Sequence, residues 1–139
     1  MPIVTFSDRD LLRGKIITPG WYRVRIEAIG EAPAKDSGKG PSTNYPVEGT
    51  IQFNGDNGDI TFANVPIEWN FNSKAQGFAV GFLQAFGVDV KPGVRFDLKS
   101  AEGKDIDVFI ENATWDNRLV NRVNHKYRTP KSDVTAVSA

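Results

Sequence analysis

Three groups of aromatic and basic residues stand out for the chemistry they could do together. In the run GWYRVRIEAIG, Trp21, Arg23 and Arg25 alternate with Tyr22 and Val24. Lys35 and Lys39 follow in a segment of small residues and glycines. Toward the end, Phe109 and Trp115 precede Arg118, Arg122, Lys126, Tyr127 and Arg128. Exposed rings stack on nucleobases, at about 1–3 kcal/mol per base, while neighbouring cations neutralise phosphates. A duplex keeps its bases stacked inside, so rings offered on a surface select a single strand. The competing role for any one of these rings is to cover an open end of a small barrel.

Other chemistries fit the residues less well. Residues 32–45, APAKDSGKGPSTNY, invite comparison with a phosphate-cradling loop, which needs G-x-x-x-x-G-K-[ST] at the start of a helix. Here Pro33 stands where the first glycine belongs, and Gly40 follows Gly38-Lys39 where Ser or Thr belongs. What remains is a strand-to-strand loop carrying two lysines. NGDNGD (54–59) lacks the ligand spacing and closing glutamate of a calcium loop and reads as a turn. Without cysteine there are no disulfides, thiolate metal sites or thiol nucleophiles. The single histidine, His125, sits among amides and bases, and no nucleophile elbow or His-Glu-x-x-His pair occurs. Asp105 and Asp107, two apart, read as a solvated strand face. No catalytic residue, metal site or cofactor is expected, and the chain reads as a non-enzyme.

Charge points the same way only when it is mapped along the chain. The formal net charge is zero, but residues 1–45 carry +2, residues 46–112 carry −5 and residues 113–139 carry +3. Local potential, not net charge, governs polyanion binding, so a fold that gathers the two basic flanks makes a basic stripe. No run approaches the length of a membrane span and no apolar leader opens the chain, so a cytoplasmic protein is expected.

These residues need elements to position them. Period-two alternation makes 20–30 a half-buried strand with Tyr22, Val24, Ile26 and Ala28 inward. YPVEGTIQF is a second strand with Val47, Ile51 and Phe53 inward, and 60–71 is a third strand or a bulged pair, since Pro66 cannot donate a ladder hydrogen bond, with Trp69 in the core. Ser73 and Gln76 form a capping box for a helix carrying Phe78, Phe82 and Phe86, which Gly87 stops. Gly77 and Gly81 would let that helix lie close to the sheet. GVRFDLKS and 105–115 read as the next two strands, and Asp116-Asn117 turns the chain into 118–130. Three strands, a helix and two strands is the order of an OB-fold, an oligonucleotide-binding barrel. The expected class is therefore all-β with one helix: five strands, the helix between strands 3 and 4, and a C-terminal β-hairpin extension. A small β-sandwich with one helix is the alternative. Residues 1–130 form one domain and 131–139 a flexible tail.

The stretch PGWYRVRIEAIGEAPAKDSGKGPSTNYPVEGTI, with the later FLQAFGV and GKDIDVFIE…NRVNHKY, resembles phage-encoded single-stranded DNA-binding proteins over about residues 18–130. The order and spacing of individually weak motifs carry the resemblance. It implies an OB-fold that coats single-stranded DNA in phage replication or recombination, in the host bacterial cytoplasm. It places Lys35 and Lys39 in the binding loop, Arg23 and Arg25 on the first strand, and Arg118 and Arg122 on the last hairpin. Phage replication or recombination enzymes are the implied protein partners. The tail KSDVTAVSA lacks the acidic tip by which many such proteins recruit enzymes. Unpaired edge strands are compatible with a homo-oligomer. The alternative function is a protein–protein interaction module of a phage assembly or replication complex, without DNA binding.

Overall fold

The strand alternation holds where it is simplest and breaks at bulges. In the computed structural model, which describes residues 3–7, 11–33, 42–73, 77–93 and 96–130, strand β1 is Gly20–Ile29. Tyr22, Val24 and Ile26 are buried as expected. Ile26 then pairs with Gly49 but Ala28 with Glu48, so Glu27 is an extra residue. This bulge reverses the parity, and Ile29 rather than Ala28 joins the core opposite Val47.

Strand β2, Ala32–Pro33, continues β1 along the same edge of strand β3, Thr43–Asn54. A second bulge, at Gln52, lies between the Arg23–Phe53 and Val24–Ile51 pairs. Paired residues share a face, so Ile51 points inward while Phe53, expected inward, turns outward beside Arg23. Gly49 leaves no room for a side chain where β3 packs on β1: a Cβ there would lie 2.5 Å from Val24 Cγ1 and 3.2 Å from the Arg25 carbonyl oxygen. Gly49→Ala is expected to cost about 1–3 kcal/mol through overpacking, read as a lowered urea midpoint with unchanged slope.

The third strand is shorter than expected. Residues 61–64 form a turn, with Asn64 at φ 70° and its N–H donating to the Ile51 carbonyl at 2.7 Å. Strand β4, Pro66–Asn72, begins on the proline, at a position where a missing N–H is tolerated. Its inward residues are Ile67, Trp69 and Phe71.

Helix α1, Gly77–Ala85, ends as its sequence dictates. Gly87 has φ 86°, its N–H donates to the Gln84 carbonyl, and the Val88 N–H donates to Leu83, the paired bonds of a Schellman cap. At the other end, Ser73 binds strand β3: its Oγ accepts from the Thr43 N–H at 2.9 Å. Gln76, its expected capping partner, and the Phe78 side chain lie outside the described residues. A Cβ on Gly77 would meet nothing within 4 Å and one on Gly81 would make ordinary contact with Tyr127, so neither glycine is required for close packing.

Among the described residues, the strand expected at 93–100 does not form. Residues 96 and 97 are not in a strand, and Leu98–Ala101 form a 3₁₀ turn whose N-cap, Asp97, accepts the Lys99 N–H on its carboxylate. Local side-chain capping wins over the alternating pattern here. The strand beside β1 is instead β5, Asp105–Trp115, joined by a two-residue turn to β6, Arg118–Arg128. The last hairpin is thus part of the main sheet, not an extension of it. Asp116 and Asn117 have φ 51° and 60°, as a tight hairpin turn with both central residues left-handed requires.

The described residues make a mostly β protein, with helix α1 and an open antiparallel sheet. β1 pairs with β3 and β5, β4 lies beyond β3, and β6 lies beyond β5. Among the described residues, β4 and β6 meet through rings and share no backbone ladder. Phe82 of α1 fills the space between them, 5.0 Å from the Phe71 ring and 5.3 Å from Tyr127. Residues 131–139, expected as a tail, lie outside the described residues.

Candidate nucleic-acid interface

Pairing between β1 and β5 assembles the candidate site on the outer surface of the sheet. Trp21 lies opposite Phe109, Arg23 opposite Asp107, and Arg25 opposite Asp105. Trp21 and Phe109 pack edge to face with centroids 5.5 Å apart. Strand β6 adds Arg128 opposite Asp107, and the Gln52 bulge adds Phe53 opposite Arg23. Each ring carries a cation: Arg128 lies 4.4 Å from the Trp21 centroid, Lys126 5.5 Å from Phe109, and Arg23 4.9 Å from Phe53. Such contacts contribute about 0.5–2 kcal/mol each, more when desolvated.

Beneath the cations lies a buried carboxylate. Asp107 is fully buried, where a solvated strand face was expected. Arg23 Nε donates to its Oδ1 at 2.7 Å and Arg128 Nε donates to its Oδ2 at 3.0 Å. A buried charge needs partners of opposite sign, and two guanidiniums supply them. Arg23, itself 9% exposed, is therefore held within the sheet surface. Burial disfavours the charge on Arg128, but Asp56 and Asp107 together outweigh burial and raise its pKa.

The turn after β3 is pinned over this group. The Gly55 N–H donates to the Trp21 carbonyl at 2.9 Å, and a Cβ on Gly55 would lie 3.0 Å from Asp107 Oδ2. Within the turn, Asn54, Asn57 and Asp59 accept the N–H groups two residues on, the side-chain turn chemistry expected of NGDNGD. Asp56 accepts from Arg128 Nη2 at 2.6 Å.

The remaining predicted residues fall into separate places. Arg25 is exposed and pairs with Asp105 at 3.1 Å. Arg122 is exposed opposite Glu111, 4.0 Å from it. Trp115, 63% exposed, and Arg118 stand at the hairpin tip, with the guanidinium 5.8 Å from the indole. Six steps of extended strand, about 20 Å, separate Trp115 from Phe109. Lys35 and Lys39 lie outside the described residues. Tyr127 does not belong to the face: it packs inward against Trp69, Phe71 and Phe82, and burial pushes its phenol far up. The Trp69 indole N–H acts on the phenol in the opposite sense, but meets no acceptor at hydrogen-bond geometry. Tyr127 shares parity with buried Val123, a signal the sequence already carried. Phe53, Asp107 and Asp56 are the site residues that the sequence reading missed. Trp69 is buried as expected.

His125 marks a third irregularity. Val108 pairs with Tyr127 but Ile110 with Val123, so β6 holds extra residues, and His125 has φ 52°. Its Nδ1 lies 3.0 Å from the Tyr127 hydroxyl, and its ring lies 5.7 Å from Phe71. Burial, then the Arg122 charge, lowers its pKa below the ordinary 6.5. The fold therefore holds the neutral ring, and the unfolded chain takes up the proton first as pH falls. The His125 contribution is fully present above about pH 6.5 and is lost as pH drops through the lower folded value. His125→Asn, which tolerates a left-handed backbone, should flatten the fall in urea midpoint between about pH 7 and 5.

Elsewhere, a cavity of about 640 Å³ lies between α1, the end of β1 and the 90–99 segment, lined by Tyr45, Phe71, Leu83, Phe96 and Lys99 among others. None of the predicted binding residues that the structure describes is among its lining residues. Among the described residues no cluster of three or more His, Cys, Asp or Glu is arranged to hold a metal, and no helix is long and apolar enough to cross a membrane. No protein-family model matches the chain, and comparison with curated proteins returns no significant match.

Proposed function

We propose that this chain is a sequence-tolerant, non-enzymatic binder of single-stranded DNA, acting by base stacking and phosphate neutralisation in phage replication or recombination. The observation that carries the reading is the Trp21–Phe109 pair on an open sheet surface, with Arg128 and Lys126 set against the two rings. An aromatic platform flanked by cations suits a strand whose bases are unstacked and whose phosphates run alongside. The strand sequence β4, β3, β1, β5, β6, with α1 between β4 and β5, supports an OB-type barrel. On that reading the loop containing Lys35 and Lys39 joins barrel strands 1 and 2, and the Trp115–Arg118 tip joins strands 4 and 5, the two loops that OB-folds use for oligonucleotides.

The arrangement departs from the usual OB site in one respect. The exposed side of β3 and β4 carries Glu48 opposite Glu68 and a hydrogen-bonded group of Asn44, Asn70 and Asn72. Glu68 is ion-paired with Arg13 there, and the ring–cation platform lies elsewhere, so the strand is assigned to β1, β5 and β6.

The test is a titration with a poly-thymidine strand of about 30 nucleotides and a matched duplex, following tryptophan fluorescence. Quenching by the single strand alone is expected. With about four to six phosphate contacts, log affinity should fall with log salt at a slope of about −3 to −4. No response to either nucleic acid at low salt would overturn the reading. It would favour the interaction module, for which the exposed Ile3, Val4, Phe6 and Leu11 near the N-terminus supply an apolar surface.

A further inference from the structure

The two carboxylates on Arg128 are not equivalent. Asp107 is fully buried, holds Arg128 through Nε, and also holds Arg23. Asp56 meets the outer nitrogen, Nη2, and its side chain is 48% exposed. The first contact orients the guanidinium against the Trp21 ring. The second occupies the edge that a phosphate approaching the ring from solvent would use.

Asp56 is also not placed by chance. Gly55 is anchored to the Trp21 carbonyl and packs on Asp107, where no side chain fits without displacement. The next N–H, that of Asp56 itself, is tied to Asn54 Oδ1 at 2.9 Å. A pinned backbone therefore delivers one solvent-facing carboxylate to the outer nitrogen of the cation that lies over the stacking ring.

We infer that Asp56 is an affinity-setting residue: its carboxylate stands in for a nucleic-acid phosphate at Arg128 and must be displaced when a single strand binds. This rests on the function proposed above. The exchange has a definite electrostatic signature. When a phosphate replaces Asp56, the phosphate sheds its counterion while the freed carboxylate gathers one, so the contact adds little to the salt dependence. Without the carboxylate, the same contact counts in full, at about 0.7 in the log–log slope for a single strand.

The experiment compares the wild-type chain with Asp56→Asn and Asp59→Asn, titrated with the same poly-thymidine strand at several salt concentrations. Asp59 is the control because it lies in the same turn and its carboxylate bonds Thr61 instead of Arg128. Asp56→Asn should bind about twofold to fivefold more tightly, the scale of one exposed ion pair, with a slope steeper by about 0.7. Asp59→Asn should bind more nearly like wild type, with an unchanged slope. If wild type binds and Asp56→Asn does not tighten, or if both variants tighten equally, the assigned role of Asp56 is overturned while the DNA reading stands. If none of the three binds, the DNA reading fails and this inference falls with it.

Discussion

Asp107→Ala is expected to remove about 3 kcal/mol of stability or more, the scale on which removing one partner of a buried ion pair acts. The charge of Arg23 loses its main buried partner, Arg128 loses its inner anchor, and the Gly55 turn loses the group it packs on. Against a total of about 5–15 kcal/mol for a domain of this kind, that is a large share. Asp105→Ala is the matched control. It removes a carboxylate from the same strand and face, but its pair with Arg25 is substantially exposed, and such pairs contribute under about 1 kcal/mol. Urea unfolding of both variants decides the point. Equal, small shifts in midpoint would mean that the arginines find water or other partners, and that Asp107 is not the anchor of the face. Asp107→Asn keeps acceptor oxygen and shape while losing the charge, and should fall between wild type and the alanine variant.

Trp21→Leu should weaken single-strand binding by about five- to 150-fold, the equivalent of one lost stacking contact at about 1–3 kcal/mol. Leucine keeps apolar cover over the neighbouring Phe109 edge, so the sheet is retained while the π-face is lost. Trp21→Phe should recover part of the affinity, because the remaining ring can still stack. Trp115→Leu should cost less with a short oligonucleotide, since the hairpin tip stands about 20 Å along the strand from Phe109. Binding of the Trp21→Leu chain within twofold of wild type, with its melting unchanged, would remove the aromatic pair from the mechanism.

Much of the local architecture was legible because local rules govern it. Gly87 ends α1 as a left-handed cap because no Cβ opposes that conformation. Asp116-Asn117 makes the hairpin because both residues tolerate positive φ. The apolar phase of Tyr22, Val24 and Ile26 declares the inner face of β1, and the parity of Trp69 with Ile67 and Phe71 puts it in the core. The alternation of Trp21, Arg23 and Arg25 also placed these residues together on the opposite face, as their pairings with Phe109, Asp107 and Asp105 bear out.

What those outward residues face was decided by partners distant in the chain. The bulge at Gln52 inverts Phe53 because one extra residue of β3 is set against β1 there, a condition on the pair that β3 does not carry alone. Arg23 and Asp107 stand 84 residues apart, and only their pairing across β1 and β5 turns two ordinary surface charges into a buried bridge. The β5–β6 pairing brings Arg128 onto Trp21, and the turn pinned after β3 brings Asp56 onto Arg128. Residue types along one strand state which chemistry is on offer. Whether each cation is open to a phosphate or already held by a carboxylate depends on neighbouring strands and turns, because charge interactions are set by distance and burial in space.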